Sequence, residues 1–168
     1  PAVPATMPAA DTECVAQWSV NIYSLTFDSA GGSAADTITQ DYGTEITLPE
    51  EGFTKTGYTF IGWNSTPGGD TPLVTYYVPA YDATLYAVYQ VNQYTVYFDA
   101  NGGYGTADPV TQNYLTALNL PVDGFGKTGY TFIGWNTDPE AAAAIAEYIM
   151  PLGGGTLYAI YEINQYTV

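Results

Sequence analysis

The chain has 168 residues, of which 46% are hydrophobic and 15% aromatic, so it can build a folded core and does not have the composition of a disordered chain. Seventeen acidic residues face two lysines, with no histidine, and the formal net charge of −15 excludes nucleic acid as a partner because phosphates are repelled. Membrane insertion is also excluded, since no apolar run approaches the roughly 20 residues that span a bilayer.

The first segment, residues 1–18, contains no catalytic or metal-binding motif. It lacks the basic start and continuous apolar run of a signal peptide, and because it begins with Pro1 we expect the sequence to be part of a longer protein. Val15 to Trp18 align with a later strand and are predicted to end a preceding repeat. Cys14 is the only cysteine, so an internal disulfide is excluded and a metal site is disfavoured.

An aromatic octapeptide, GYTFIGWN, occurs twice, at residues 57–64 and 129–136. The segment TLYAVYQVNQYTV at residues 84–96 also recurs as TLYAIYEINQYTV at residues 156–168. A fixed period over most of a chain is the signature of tandem repeats. We therefore predict a repeat module at residues 19–91, a second at residues 92–163, and the start of a further repeat at residues 164–168.

Each module is predicted to consist mostly of short strands. In the second module, residues 93–99 alternate Tyr94, Val96 and Phe98 with more polar residues, the two-residue period of a half-buried strand. Asn101-Gly-Gly predicts a tight turn, and further extended segments are expected at residues 110–120, 130–136 and 156–163. The sequence therefore predicts about four strands in each module.

The connection that follows the octapeptide differs between the copies. In the second copy, Asp138, Pro139 and an alanine-rich run predict a short helix from Pro139 to Tyr148. The first copy is too rich in glycine, proline and β-branched residues for a helix there. Variable connections often carry binding specificity, so Tyr76, Tyr77 and Tyr148 are candidates for a partner surface.

The repeated aromatic residues are predicted to form the core, because each aromatic side chain removes a large apolar area from water. Gly57 and Gly62 are expected at turns or close backbone approaches. An alternative is that the tryptophans and the asparagines that follow them stack on sugars. The predicted core residues are Phe27, Phe60, Trp63, Phe98, Phe132 and Trp135.

The order of these motifs resembles the Listeria-Bacteroides repeat family. The resemblance rests on YTVYFDANGG, GFGKTGYTFIGWN and TLYAIY, and it covers nearly all of both copies. It implies a β-grasp-like module, so the fold class expected is mostly β or α+β, with two small tandem modules. It also implies a segment of a bacterial secreted or cell-surface protein, with no catalytic residues and no cofactor.

Catalysis is not predicted from the residues themselves, since the chain has no histidine, no G-x-S-x-G motif and only a lone cysteine without a base. A carboxylate pair could still do acid/base work, but acidic residues spread along a chain mostly serve solvation. Lys55 and Lys127 stand at equivalent positions, where an internal isopeptide bond is conceivable, although exposed turn residues are the simpler interpretation. Three functions stay open: a spacer or adhesion stalk contacting neighbouring repeats, a module binding a glycan or host protein, and a subunit that self-associates into an extracellular fibre.

Overall fold

The computed structural model describes residues 15–33 and 36–166, together with the single residues 2 and 13. Cys14 lies outside the described residues. Eight strands are present and the described part of the chain contains no helix. The strands are β1 (Ile22–Asp28), β2 (Asp36–Asp41), β3 (Tyr58–Asn64), β4 (Ala83–Val91), β5 (Gln93–Asp99), β6 (Val110–Asn113), β7 (Tyr130–Asn136) and β8 (Gly155–Ile163).

The strands form two separate four-stranded sheets with the same topology. Their orders are β2-β1-β4-β3 and β6-β5-β8-β7. In the first sheet, β1 pairs parallel with β4 at the centre, whereas β2 and β3 are antiparallel edge strands. The second sheet repeats these pairings. The mostly β prediction is therefore confirmed, with four strands for each copy of the repeat.

Each sheet has its own hydrophobic core. In the first, Leu25 and Phe27 of β1 and Leu85 of β4 are at most 1% exposed and share a face because alternate strand residues point the same way. In the second, Val96, Leu157 and Ala159 are fully buried. Two separate clusters, rather than one shared interior, stabilise the chain.

A β-bulge in β3 puts both large aromatic residues of the octapeptide on the core face. Residues three apart on a regular strand face opposite sides of the sheet. Here Phe60 pairs with Tyr89 and Gly62 pairs with Val88, so the bulge adds one residue, Ile61, between them. The rings of Phe60 and Trp63 then meet at 5.4 Å. The same shift occurs in β7, between Phe132 and Gly134.

Of two segments predicted to be extended, one forms no strand and the other forms a shorter strand than expected. Val15 to Trp18 form no strand and are exposed, since no neighbouring strand of a preceding repeat lies beside them among the described residues. The segment predicted at residues 110–120 is a strand only at Val110–Asn113, because Leu115 has a φ of 61°, which turns the chain away from the sheet.

The helix predicted from Pro139 to Tyr148 is wrong. Asp138 does accept a hydrogen bond from the Glu140 amide, at 3.0 Å, but the turn ends there. The backbone groups of the following residues bond outside the segment instead: Ile145 N–H donates to Trp135 O at 2.8 Å, and Tyr148 O accepts from Leu118 N–H at 2.8 Å. A run of about ten residues is too short to hold a helix against such contacts.

The two crossovers also follow the same backbone path despite their different sequences, which corrects our expectation of two local structures. The hydrogen bonds that fix each crossover include three that recur at positions 72 residues apart. They are Leu73 N–H to Trp63 O (2.7 Å), Ile46 N–H to Tyr76 O (2.9 Å) and Val78 N–H to Thr44 O (3.0 Å), matched by Ile145 to Trp135 (2.8 Å), Leu118 to Tyr148 (2.8 Å) and Met150 to Thr116 (2.8 Å).

Candidate functional site

The tryptophan of the first octapeptide is buried in internal contacts. Trp63 is 1% exposed and its indole N–H donates to Pro49 O at 2.8 Å. Three phenylalanines surround its ring edge to face, an arrangement that adds to the energy of area burial. They are Phe27 at 4.9 Å, Phe53 at 4.7 Å and Phe60 at 5.4 Å between ring centroids.

The second octapeptide reproduces this cluster. Trp135 is 1% exposed and donates to Pro121 O at 2.7 Å. Its three phenylalanine partners lie at nearly the same distances as in the first copy: Phe98 at 4.9 Å, Phe125 at 4.7 Å and Phe132 at 5.5 Å. Phe60, Phe98 and Phe132 are half-buried and pack against their clusters, whereas Phe27 is fully buried.

The asparagine that ends each octapeptide organises the crossover. Asn64 Nδ2 donates to Thr71 O at 2.7 Å, and its Oδ1 accepts from the Thr66 amide at 2.7 Å. Asn136 makes the corresponding bonds to Ala143 O and from the Asp138 amide. Because both indoles are buried and both amide groups are paired, the alternative of sugar stacking on the tryptophans has no free surface.

The two lysines each lie over a pair of tyrosine rings. Lys55 Nζ is 5.0 Å from the Tyr58 ring centroid and 5.4 Å from that of Tyr89. Lys127 repeats the arrangement with Tyr130 at 5.1 Å and Tyr161 at 5.6 Å. Both lysines are half-buried rather than exposed turn residues, and these distances are those of cation–π contacts. These contacts stabilise the fold.

Tyr89 and Tyr161 occupy equivalent places but differ in their hydroxyl groups. Burial raises the pKa of both phenols, and nearby Tyr104 adds to the rise at Tyr161. Tyr161 donates to Ala100 O at 3.0 Å. The buried hydroxyl of Tyr89 has no hydrogen-bond partner among the described residues. The first module therefore carries an unsatisfied polar atom that the second module has satisfied.

Replacing these two tyrosines with phenylalanine is expected to act in opposite directions. Tyr161→Phe removes the bond to Ala100 and should lower the free energy of unfolding of its module by about 0.5–1.5 kcal/mol. Tyr89→Phe removes a buried hydroxyl without a partner and should be neutral or stabilising. Urea unfolding followed by circular dichroism measures both, and equal losses would contradict the assignment.

The candidate partner surface is largely built into the fold. Tyr76 and Tyr148 are half-buried against the two cores, and burial raises the pKa of each. Tyr77 alone is exposed, at 56%. Near it, beside the crossover, a cleft of about 540 Å³ includes Ile61 and the fully exposed Val74 in its lining. A smaller cleft of about 310 Å³ lies at the matching place in the second module.

The described residues show no cluster of metal-binding side chains. Nowhere in the described part of the chain do three aspartate or glutamate side chains gather as a metal site would require. The described stretch also lacks a helix of the length and apolarity needed to cross a membrane.

Comparison with known proteins matches the pattern of two repeated sheets. The model of the Listeria-Bacteroides repeat domain matches residues 23–88 and 94–160. The chain belongs to the Listeria-Bacteroides repeat family. Each match covers one of the two sheets almost from its first strand to its last. The strands and glycine turns described above are thus those of two copies of one repeat domain.

Three relatives of this Listeria-Bacteroides repeat chain are similar over most of its length. A protein named as a Gly-rich membrane protein of Evansella cellulosilytica is 35% identical over 96% of the chain, and a protein named as a membrane protein of the same organism is 32% identical over 89%. Internalin H of Listeria monocytogenes is 34% identical over 90%. The chain spans only 20%, 24% and 27% of these relatives.

Sequence reasoning missed several residues that matter in the repeats. Phe53 and Phe125 complete the two ring clusters, and their place in the repeated GF-x-K-T-G segment was the available signal. Asn92 and Tyr114 bind the two modules together. The signal for Asn92 was its recurrence as Asn164 in NQYTV, since a linker without a structural role has no reason to repeat.

Proposed function

We propose that this chain is a non-catalytic repeat segment of a bacterial secreted or cell-surface protein, and that it acts as a stiff spacer or adhesion stalk. The observation that supports this function best is that the tryptophan and the asparagine of both octapeptides are used in internal contacts. Their indole N–H groups and asparagine amide groups make the same hydrogen bonds in both copies. A β-grasp-like kinship of the module is part of the proposal and is supported by the parallel central strands.

The net charge of the chain and the names of its relatives are consistent with an extracellular location. A net charge of −15 keeps such a segment soluble and apart from anionic lipid surfaces. The relatives include an internalin and two proteins named as membrane proteins, of which this chain matches a fifth to a quarter. A short segment that recurs within long surface-associated proteins is suited to set the distance between other parts.

Duplication tests the spacer function. Residues 22–164 are placed a second time after Asn164, and the original and doubled chains each carry a fluorescent domain above a bacterial surface. A stiff spacer should double the height of that domain, whereas doubling a Gly/Ser-rich control linker should raise it roughly 1.4-fold, as expected for a flexible coil. A square-root increase for the repeat chain, measured by super-resolution microscopy, would refute the spacer role.

A second candidate function is weak binding of a glycan or host protein at the first crossover. The exposed Val74, at 95%, and Tyr77 next to the larger cleft favour this candidate. A glycan array and a surface-protein panel test it, with Tyr77→Ala as the variant that should lose the signal. Self-association through the edge strands β2 and β3 would appear as concentration-dependent light scattering.

A further inference from the structure

One residue, Asn92, connects the two modules and is hydrogen-bonded by both. Its amide donates to Gly57 O in the first module at 2.9 Å, and its own carbonyl accepts from the Tyr114 amide in the second module at 2.8 Å. The Thr59 hydroxyl donates to Asn92 Oδ1 at 2.6 Å. A linker residue bonded in this way is fixed in orientation relative to both sheets.

The ring of Tyr114 closes the same joint. It lies edge to face between Tyr58 of the first module, at 6.4 Å, and Tyr94 of the second, at 6.2 Å. Gly57 provides the space: a Cβ on Gly57 would fall 2.0 Å from Tyr114 Cδ1. Gly57 is buried as a result, with a φ of 77° that suits glycine. The joint therefore combines a tyrosine with a glycine seat.

The carboxyl end of the second module carries the same seat without a tyrosine on it. Asn164 donates to Gly129 O at 2.9 Å, and the Thr131 hydroxyl donates to Asn164 Oδ1 at 2.7 Å, as at the central joint. A Cβ on Gly129, however, would have no atom within 4 Å. Tyr130, which corresponds to Tyr58, is 38% exposed.

The amino end of the first module carries the other half of the joint. The Tyr42 amide donates to Asn21 O at 2.8 Å, which matches the bond between Tyr114 and Asn92. The Tyr42 side chain is 58% exposed, because no glycine seat lies beside it among the described residues. The two ends of this chain are thus complementary halves of the joint seen at its centre.

We propose that the surface formed by Gly129, Tyr130 and Asn164, here called the end seat, is a docking surface for a further repeat joined through Asn164. The occupant is a module whose tyrosine stands where Tyr42 and Tyr114 stand, just after its second strand. The identity of the hydrogen bonds at the centre and the ends supports this occupant. An unlinked second copy is disfavoured, because its own Asn21 would have to take the place of Asn164.

The proposed docking would also restrict motion between successive repeats and so keep an array of them stiff. In that respect it rests on the proposed spacer role. Each added repeat would bring one tyrosine and remove one exposed glycine turn from solvent. The shape of the end seat determines which module can dock. A residue with a Cβ in place of Gly129 would leave no room for the tyrosine ring, and a module without that tyrosine would not fill the seat.

Spin labels measure the joint directly. In a Cys14→Ser background, Ser65→Cys and Thr137→Cys place labels on exposed, equivalent sites of the two modules. Electron–electron double resonance should give a narrow distribution of the distance between the two labels in the parent chain. Gly57→Ala should widen it at least about twofold, since the Tyr114 ring then loses its seat and the modules are held only by the short linker and the hydrogen bonds of Asn92. Gly129→Ala is the matched control, with a φ of 80° and free space, and should leave the distribution unchanged.

The doubled chain then tests the end seat. Labels at residue 137 of the first copy and residue 65 of the second should give an equally narrow distribution, and Gly129→Ala in the first copy should now widen it. Tyr42→Ala in the second copy should do the same without altering any glycine. A broad distribution before any substitution, or equal effects of Gly57→Ala and Gly129→Ala in the original chain, would overturn the proposal. Height measurements test the spacer role separately, so the two can fail independently.

Discussion

Replacing Trp63 with alanine is expected to lower the free energy of unfolding of the first module by about 3–5 kcal/mol, the range for removing a large buried aromatic side chain. The indole is 1% exposed and contacts three phenylalanine rings. Its loss would also leave Pro49 O without the hydrogen bond that the indole N–H supplies. A module of this size has little stability to spare, so we expect it to be largely unfolded at room temperature.

The third tryptophan provides the control for this experiment. Trp18 is 92% exposed, so Trp18→Ala should leave the unfolding transition in urea unchanged. The loss of unfolding free energy for Trp63→Phe should lie between those for Trp18→Ala and Trp63→Ala. This variant keeps aromatic contacts but loses the hydrogen bond to Pro49. Similar losses for Trp18→Ala and Trp63→Ala would contradict the core role of the octapeptide.

The same variant reports whether the modules unfold separately. The two hydrophobic clusters share no residue, so Trp63→Ala should leave amide exchange in β5 and β8 slow. Trp135→Ala should instead speed amide exchange in the second module and leave it slow in the first. Simultaneous loss of protection in both sheets would show that the joint at Asn92 couples their stability more strongly than their separate cores suggest.

The strands were predictable because their signal is local. Residues 93–99 alternate in polarity, and β5 spans the same residues with Val96 buried and Tyr97 exposed. The bulge was not predictable from alternation, since Phe60 and Trp63 are three positions apart and only the extra residue puts them on one face. Repetition of the octapeptide identified these residues as core candidates even though their geometry was hidden.

The crossover shows why local propensity failed in the second module. Its alanines favour a helix, yet Met150 is fully buried in the core, where Val78 of the first module is 2% exposed. Burying this side chain requires the extended path that both crossovers share. The joint between the modules could not be predicted from either repeat alone, because the contact of Tyr114 with Gly57 joins residues from different repeats.

Gly134→Ala is expected to be strongly destabilising in the second module. Gly134 lies at the bulge with a φ of 132°, and a Cβ there would fall 2.6 Å from Ala144 Cβ. Overpacking costs about 1–3 kcal/mol, and a side chain in a region open mainly to glycine costs about 1–3 kcal/mol more. Together they predict a loss of about 2–6 kcal/mol, enough to unfold the module.

A second substitution separates the two causes. Ala144→Gly removes the clashing methyl group, so the double variant should regain the overpacking part of the loss and keep the backbone part. Gly129→Ala, with a φ of 80° and open space, shows the cost of a side chain at a positive φ where there is no clash. If Ala144→Gly restores nothing in urea unfolding, the close approach of the crossover to the bulge is not what requires glycine at position 134.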